Sequence, residues 1–503
     1  MSTPPKTSAR RSAAPGATKA AKSNAAKATQ AVKARATKAA RTSRAALPTK
    51  VRTKAKAVPT AKAASAASGA NTRRSLAVSP ASVDGASREA AGPWVGVGRW
   101  PGRGFGRERG IYNRQLQRAN EHWPIRLQLL SWLFRRPETL LSLLGKPAPI
   151  RADSRVLNRS VQAVLEVMTR MAGVLGRTDT EEEGLGDLVL RRKQMQGVAR
   201  FMPIRTDVHV VDRSIPSARG SQSSPDLPVR IYRRFGAGIG AGVGRGSLPP
   251  AIVFYHGGGW VEGDLVSHDP SCRLLASVSG CVVIAVDYRL APEHPFPAAV
   301  EDSLAAYAWV HEHAEELGIA EGRVGVMGDS AGGNLAAVVA LLTRDGAAVP
   351  TSIVPVPPGI PAPVAQGLVY PGLTTRFDSE SYRLFATGFF LTAQSMRTVR
   401  SAYLPSQGDW ELEAASPLLA DDLDGVAPAL VVTAGFDPLR DDGDAYAAKL
   451  KRAGIEVEHR CYDDQVHGFF GMGFLDDSLA LSVEVCDAMG RMMHRDGPSR
   501  GGG

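Results

Sequence analysis

Gly328-Asp329-Ser330-Ala331-Gly332-Gly333 decides how the rest of the chain is read. It stands between the apolar run Arg323-Val324-Gly325-Val326-Met327 and a helix-forming run from Asn334 to Leu342. A hydroxyl residue flanked by glycines, where a strand turns into a helix, has the pattern of a nucleophile elbow. Such a turn holds its central residue in a strained conformation with the hydroxyl projecting. Only residues without bulk fit two positions to either side, and Gly328 and Gly332 meet that demand. The helix that follows points its positive end at any anion forming there. In a chain with 52 glycines the pattern also arises readily by chance, so its context has to supply the specificity.

That context is a series of short apolar runs. Ala251-Ile252-Val253-Phe254-Tyr255, Cys281-Val282-Val283-Ile284-Ala285-Val286, Gly367-Leu368-Val369-Tyr370, Ala429-Leu430-Val431-Val432-Thr433 and a run from Val457 to Tyr462 alternate with helical patterns such as Ala298 to His313 and Ala445 to Ala453. Strands buried on both faces and alternating with helices predict a mostly parallel α/β sheet. Two further strands, Asp207 to Val211 and Val229 to Tyr232, precede them. Directly after the Ala251 run comes His256-Gly257-Gly258-Gly259-Trp260. A glycine-rich loop at the end of a strand brings bare N–H groups to a substrate. Those of Gly257 and Gly258, with that of Ala331, are expected to form an oxyanion hole. His256 is read as an anchor for this loop.

Together, His256-Gly257-Gly258-Gly259, Tyr288-Arg289-Leu290-Ala291-Pro292-Glu293, the Ser330 elbow, Asp437-Pro438-Leu439-Arg440-Asp441 and His467-Gly468-Phe469 resemble the hormone-sensitive-lipase-like branch of the α/β-hydrolases. The resemblance runs from about Asp207 to His494. It implies an α/β-hydrolase fold with a helical cap built partly from N-terminal helices, esterase activity on short- to medium-chain carboxylic esters, and a homodimer as a common state of relatives. The base must be a histidine beyond the nucleophile, which leaves His459, His467 and His494. His459 sits within a strand pattern and His494 in a polar terminal segment, so His467 is expected. The acid should end the preceding strand. Asp437 is favoured over Asp441, one turn later. In this scheme Ser330 is the nucleophile and Asp437 orients His467, with no metal or organic cofactor. Asp329 is read as structural. Where relatives carry a glycine close before the histidine, this chain has Asp463-Asp464-Gln465-Val466.

Charge is unevenly distributed. Residues 1–92 hold 19 Lys+Arg against 2 Asp+Glu and no aromatic residue, while the whole chain is +12, which leaves −5 for residues 93–503. A segment without large apolar groups cannot offset the entropy of ordering, so residues 1–92 are expected to be a disordered tail. The tail suits nucleic acid or another polyanion bound without sequence choice. A solvated tail without a partner and an Arg-rich organelle presequence are the alternatives. Residues 93–205 are expected to be a linker and cap helices, 206–495 the catalytic domain with a cap insertion near 374–415, and 496–503 a flexible end. The segment from Trp123 to Leu144, rich in Leu, Trp and Arg, could lie on an anionic membrane or pack on its own domain. Leu157, Val161, Val164, Leu165, Met168 and Met171 recur at helical spacing after a candidate cap, Asp153, and are expected to fill the core. Residues 349–363 are read as a surface insertion. Four cysteines without paired spacing, and no secretory or membrane-spanning run, predict a cytoplasmic protein. The competing functions are an interfacial lipase and an inactive hydrolase-fold binding module carrying a nucleic-acid-binding tail.

Overall fold

The computed structural model describes residues 132–174, 188–217, 226–235, 248–344, 354–357 and 359–495. The expectations for residues 1–131 and 496–503 therefore lie outside the described residues, as do residues 349–353 and 358 of the predicted surface insertion; in the rest of that insertion Val354 and Ile360 are buried in the core.

A two-stranded antiparallel ribbon, β1 (Arg151–Ala152) and β2 (Arg155–Val156), precedes an eight-stranded sheet. The sheet comprises β3 (Val208–Ile215), β4 (Leu227–Arg234), β5 (Ala251–Tyr255), β6 (Val282–Val286), β7 (Val324–Asp329), β8 (Gln366–Val369), β9 (Ala429–Phe436) and β10 (Val457–Val466). Their spatial order is β10-β9-β8-β7-β5-β6-β4-β3. Pairing is parallel from β10 to β6 and antiparallel where β4 joins β6 and β3. Strands β5 to β9 are buried along their whole length, as the continuous apolar runs require. Alternate side chains feed two cores. Val253, Tyr255, Val326 and Val431 face one, and Ile252, Phe254, Met327 and Val432 the other.

The helices are α1 (Pro137–Leu143), α2 (Arg159–Val174), α3 (Leu188–Ala199), α4 (Asp269–Ser279), α5 (Ala298–Glu312), α6 (Ala331–Leu342), α7 (Glu380–Leu384), α8 (Ala393–Tyr403), α9 (Arg440–Arg452) and α10 (Asp476–His494). Helix α6 is buried from end to end on one face of the sheet, while α4 and α10 cover the other. The segment between β8 and β9 carries α7 and α8. Among the described residues no helix is long and apolar enough to cross a membrane.

Two expectations about the N-terminal helices are corrected. Asn158, not Asp153, caps α2: its side-chain oxygen accepts the N–H of Ser160 at 2.9 Å. Asp153 instead sits in the ribbon turn, paired with Arg440 at 2.7 Å and with Arg155. Leu157, Val161, Val164 and Leu165 are buried against Phe385, Phe436, Val466 and Leu475, but Met168 and Met171 are exposed. Periodicity identifies an apolar stripe without showing how much of it finds a partner. The described part of the Trp123 to Leu144 segment packs partly on its own domain. Leu140 and Leu141 are buried beside Ala163, whereas Trp132 and Leu143 are exposed.

Candidate active site

All the predicted site residues lie at the C-terminal ends of parallel strands, where an open α/β sheet places its crevice. Ser330 follows β7 in the middle of the sheet and opens α6 with φ 56°, ψ −118°, a strained conformation for a residue bearing a Cβ. The elbow closes because its glycines take no room. A Cβ on Gly328 would stand 2.2 Å from the Gly332 carbonyl oxygen, and one on Gly332 would stand 1.9 Å from that of Tyr255. The turn is tied from outside as well. Ser330 N–H donates to Val369 O at 2.8 Å, and buried Asn334 donates from Nδ2 to the carbonyls of Gly372 and Ala415 at 2.8 and 2.9 Å.

Asp437, fully buried just beyond β9, and His467, just beyond β10, meet Ser330 in one line. His467 Nε2 is 2.9 Å from Ser330 Oγ, and His467 Nδ1 is 2.8 Å from Asp437 Oδ2. The other carboxylate oxygen of Asp437 accepts Leu439 N–H at 2.8 Å, which fixes the carboxylate plane. The rejected candidates are occupied elsewhere. His459 pairs with Asp444, His494 bonds to Ser279 O, and Asp441 accepts Ser381 N–H and pairs with Arg440. The Asp463-Asp464-Gln465-Val466 stretch continues β10 through a break in register after Tyr462. Asn158 holds it by donating to Asp464, and Ser478 by donating to the buried Gln465 side chain at 3.1 Å. The N-terminal segment thus braces the loop that carries His467.

The oxyanion loop corrects one expectation. Gly257 N–H donates to Asp329 Oδ1 at 2.9 Å, so it does not face the nucleophile as an oxyanion donor. The N–H groups of Gly258 and Gly259 have no acceptor among the described residues. Both glycines have positive φ, +122° and +61°. A Cβ on Gly258 would strike Glu262 O at 2.3 Å, and one on Gly259 would press on Val399 of α8. Gly259 was not anticipated. Three consecutive identical residues carry no signal of which amide points where.

Behind the loop lies a buried polar cluster. Asp329 has His268 Nε2 at 3.4 Å and Tyr370 OH at 3.5 Å. Burial pushes its carboxyl up, but the neighbouring His268 and the Gly257 N–H outweigh that and hold it below the usual carboxylate range. His256 stacks on Tyr288 at 4.2 Å, its Nδ1 lies 2.8 Å from Gly257 O, and Tyr288 OH donates to His256 O at 2.6 Å. Burial, reinforced by His268, lowers the His256 pKa to about 4, so its imidazole is neutral near pH 7 and braces the loop.

The chain is similar to known ester hydrolases. A family model described as the alpha/beta hydrolase fold matches residues 252–471. The chain is 40% identical over 349 residues to the carboxylic ester hydrolase LipN of Mycobacterium tuberculosis, a match spanning 69% of this chain and 85% of LipN. It is 37% identical over 306 residues to the carboxylesterase NlhH of the same organism, across 60% of this chain and 88% of NlhH. Among solved structures, a thermostable esterase from Pseudomonas putida aligns with TM-score 0.58 and 31% identity, covering 69% of this chain and all of the esterase.

Proposed function

Since the chain belongs to the hormone-sensitive-lipase-like carboxylesterases of the α/β-hydrolase fold, serine hydrolases that cleave carboxylic esters, we propose that Ser330, His467 and Asp437 carry its reaction. Ser330 Oγ attacks the acyl carbon while His467 Nε2 takes its proton. The tetrahedral oxyanion is held by the N–H groups of Gly258, Gly259 and Ala331, the last at the positive end of α6. As the intermediate collapses, His467 returns the proton to the departing alcohol, leaving an acyl-Ser330. Water, deprotonated by His467, then releases the acid and restores the serine. Asp437 fixes the imidazole tautomer and stabilises its charged form. The observation that carries this reading is the unbroken pair of hydrogen bonds, 2.9 and 2.8 Å, from Ser330 through His467 to a fully buried carboxylate.

The preferred acyl chain is short to medium. Supporting this, the Trp260 ring stacks on Tyr403 at 4.4 Å, and Trp260 and Leu439 stand near Gly372, 4.0 and 3.7 Å from where a Cβ on that glycine would lie, with the Gly372 N–H donating to Ser330 O at 3.3 Å. Along a p-nitrophenyl series, kcat/KM is expected to peak between butyrate and octanoate and to fall roughly tenfold by palmitate. A profile rising to palmitate, or a rate jump when triglyceride droplets form, would favour an interfacial lipase.

The four cysteines are free, which suits a reducing compartment, and we place the protein in the cytoplasm; recovery with the cell envelope on fractionation would contradict this. The charge of residues 1–92 supports a polyanion partner for the tail. Deleting them should abolish a salt-sensitive shift of duplex DNA while esterase rates stay at the full-length value. A shift that survives the deletion would exclude the tail as its cause.

A further inference from the structure

Glycine lets the oxyanion loop adopt its shape but supplies no side chain to keep it there. With φ of +122° and +61°, Gly258 and Gly259 lie in backbone regions that glycine enters freely and leaves as freely. Their aim therefore depends on groups outside the loop. On the inner side Asp329 holds the Gly257 N–H. On the outer side lies α3, of which only Ala199 is buried among its described residues.

The attachment of α3 to this loop is largely polar. Arg192 Nε donates to Val261 O at 2.9 Å and Nη2 to Ala291 O at 3.2 Å. The same guanidinium forks onto both carboxylate oxygens of Glu293, at 3.0 and 2.9 Å. Arg191 pairs with Glu262, and Gln196, one turn along from Arg192, donates to Asp264. Val261 and Glu262 both return their N–H groups to Gly258 O, at 3.2 and 3.0 Å. The carbonyl gripped by Arg192 thus belongs to the same tight turn as the oxyanion glycine. Ala291 N–H donates to Trp260 O at 2.9 Å, so one guanidinium spans the seam between the loops after β5 and β6.

We infer that Arg192 is a positioning residue for ester hydrolysis: from the N-terminal helix it holds the Gly258 turn so that the amides of Gly258 and Gly259 stay aimed at the carbonyl attacked by Ser330. This rests on the catalytic reading above. A partly exposed ion pair adds little to stability, so its loss should register in rate far more than in melting temperature. Displacing a catalytic group by about 1 Å can cost on the order of 100-fold.

Arg192→Ala and Arg192→Lys, made in the full chain, are assayed on p-nitrophenyl butyrate together with inhibition by an alkyl trifluoromethyl ketone. That ketone accepts Ser330 Oγ and leaves a hemiketal oxyanion in the hole. The expected result for both variants is a kcat about 10- to 100-fold lower, with KM changed much less. The inhibition constant should rise in step with the loss of kcat/KM, while inhibition by the product alcohol stays unchanged. Lysine keeps the charge facing Glu293 but cannot span two carbonyls, so it serves as the test if the alanine variant fails to fold. Either variant, folded and with wild-type kcat and ketone affinity, overturns the inference. Equal weakening of ketone and alcohol would also overturn it, since that marks general loosening of the site. A wild-type protein inert toward butyrate would instead sink the catalytic reading itself.

Discussion

Ser330→Ala is expected to lower kcat on p-nitrophenyl butyrate by at least about 10⁴-fold, equivalent to ~5.5 kcal/mol of transition-state stabilisation, without unfolding the protein. Alanine keeps the Cβ that already occupies φ 56°, so elbow strain is unchanged and the packing of Gly328 and Gly332 is untouched. What disappears is the atom that forms the acyl bond and whose hydroxyl donates to His467 Nε2 across 2.9 Å. The residual rate reports binding and the oxyanion amides alone. A thermal midpoint within a few degrees of wild type identifies the loss as chemical. A folded variant retaining more than about a tenth of the rate would remove Ser330 from the role of nucleophile.

Asp437→Asn is expected to cost on the order of 10⁴-fold in kcat, again with the fold intact. The carboxylate accepts from His467 Nδ1 at 2.8 Å and from Leu439 N–H at 2.8 Å, so it uses both oxygens as acceptors. An amide offers one acceptor and one donor. If its oxygen stays with Leu439 N–H, its NH2 faces Nδ1 and selects the tautomer with the proton on Nε2, where it cannot receive the serine proton. Asp441→Asn is the control. That side chain caps Ser381 and pairs with Arg440, and its loss should change kcat by less than about tenfold while lowering stability modestly. The reverse ranking would move the acid to Asp441.

The proposed triad was legible because chemistry restricts it at every level. Ser330 needs glycines two positions to either side, Asp437 ends a buried strand at a proline, and His467 begins a loop after the last strand. His459 and His494 could be set aside on position alone; in the structure they bond to Asp444 and to the Ser279 carbonyl. The proposed oxyanion donors were less legible, because the choice among Gly257, Gly258 and Gly259 depends on a long-range bond to Asp329 that no local pattern encodes. The N-terminal helices were least legible. The stripe on α2 predicted an apolar face, yet Leu157 and Val161 are buried against Phe385 and Leu475, some 220 to 320 residues onward, while Met168 is exposed. Arg192 left no sequence signal, since its acceptors are backbone carbonyls and a glutamate about 100 positions away.

The convergence of Ser330, His467 and Asp437 into a working nucleophile is tested most directly by treating the wild-type protein and Ser330→Ala with an alkyl fluorophosphonate and mapping the adduct by peptide mass spectrometry. One phosphonyl group on the peptide containing Ser330, absent from the alanine variant and abolished with hydrolysis in parallel, is the predicted result. A phosphonylated residue elsewhere that accounts for the lost activity, with Ser330 unmodified, would contradict it.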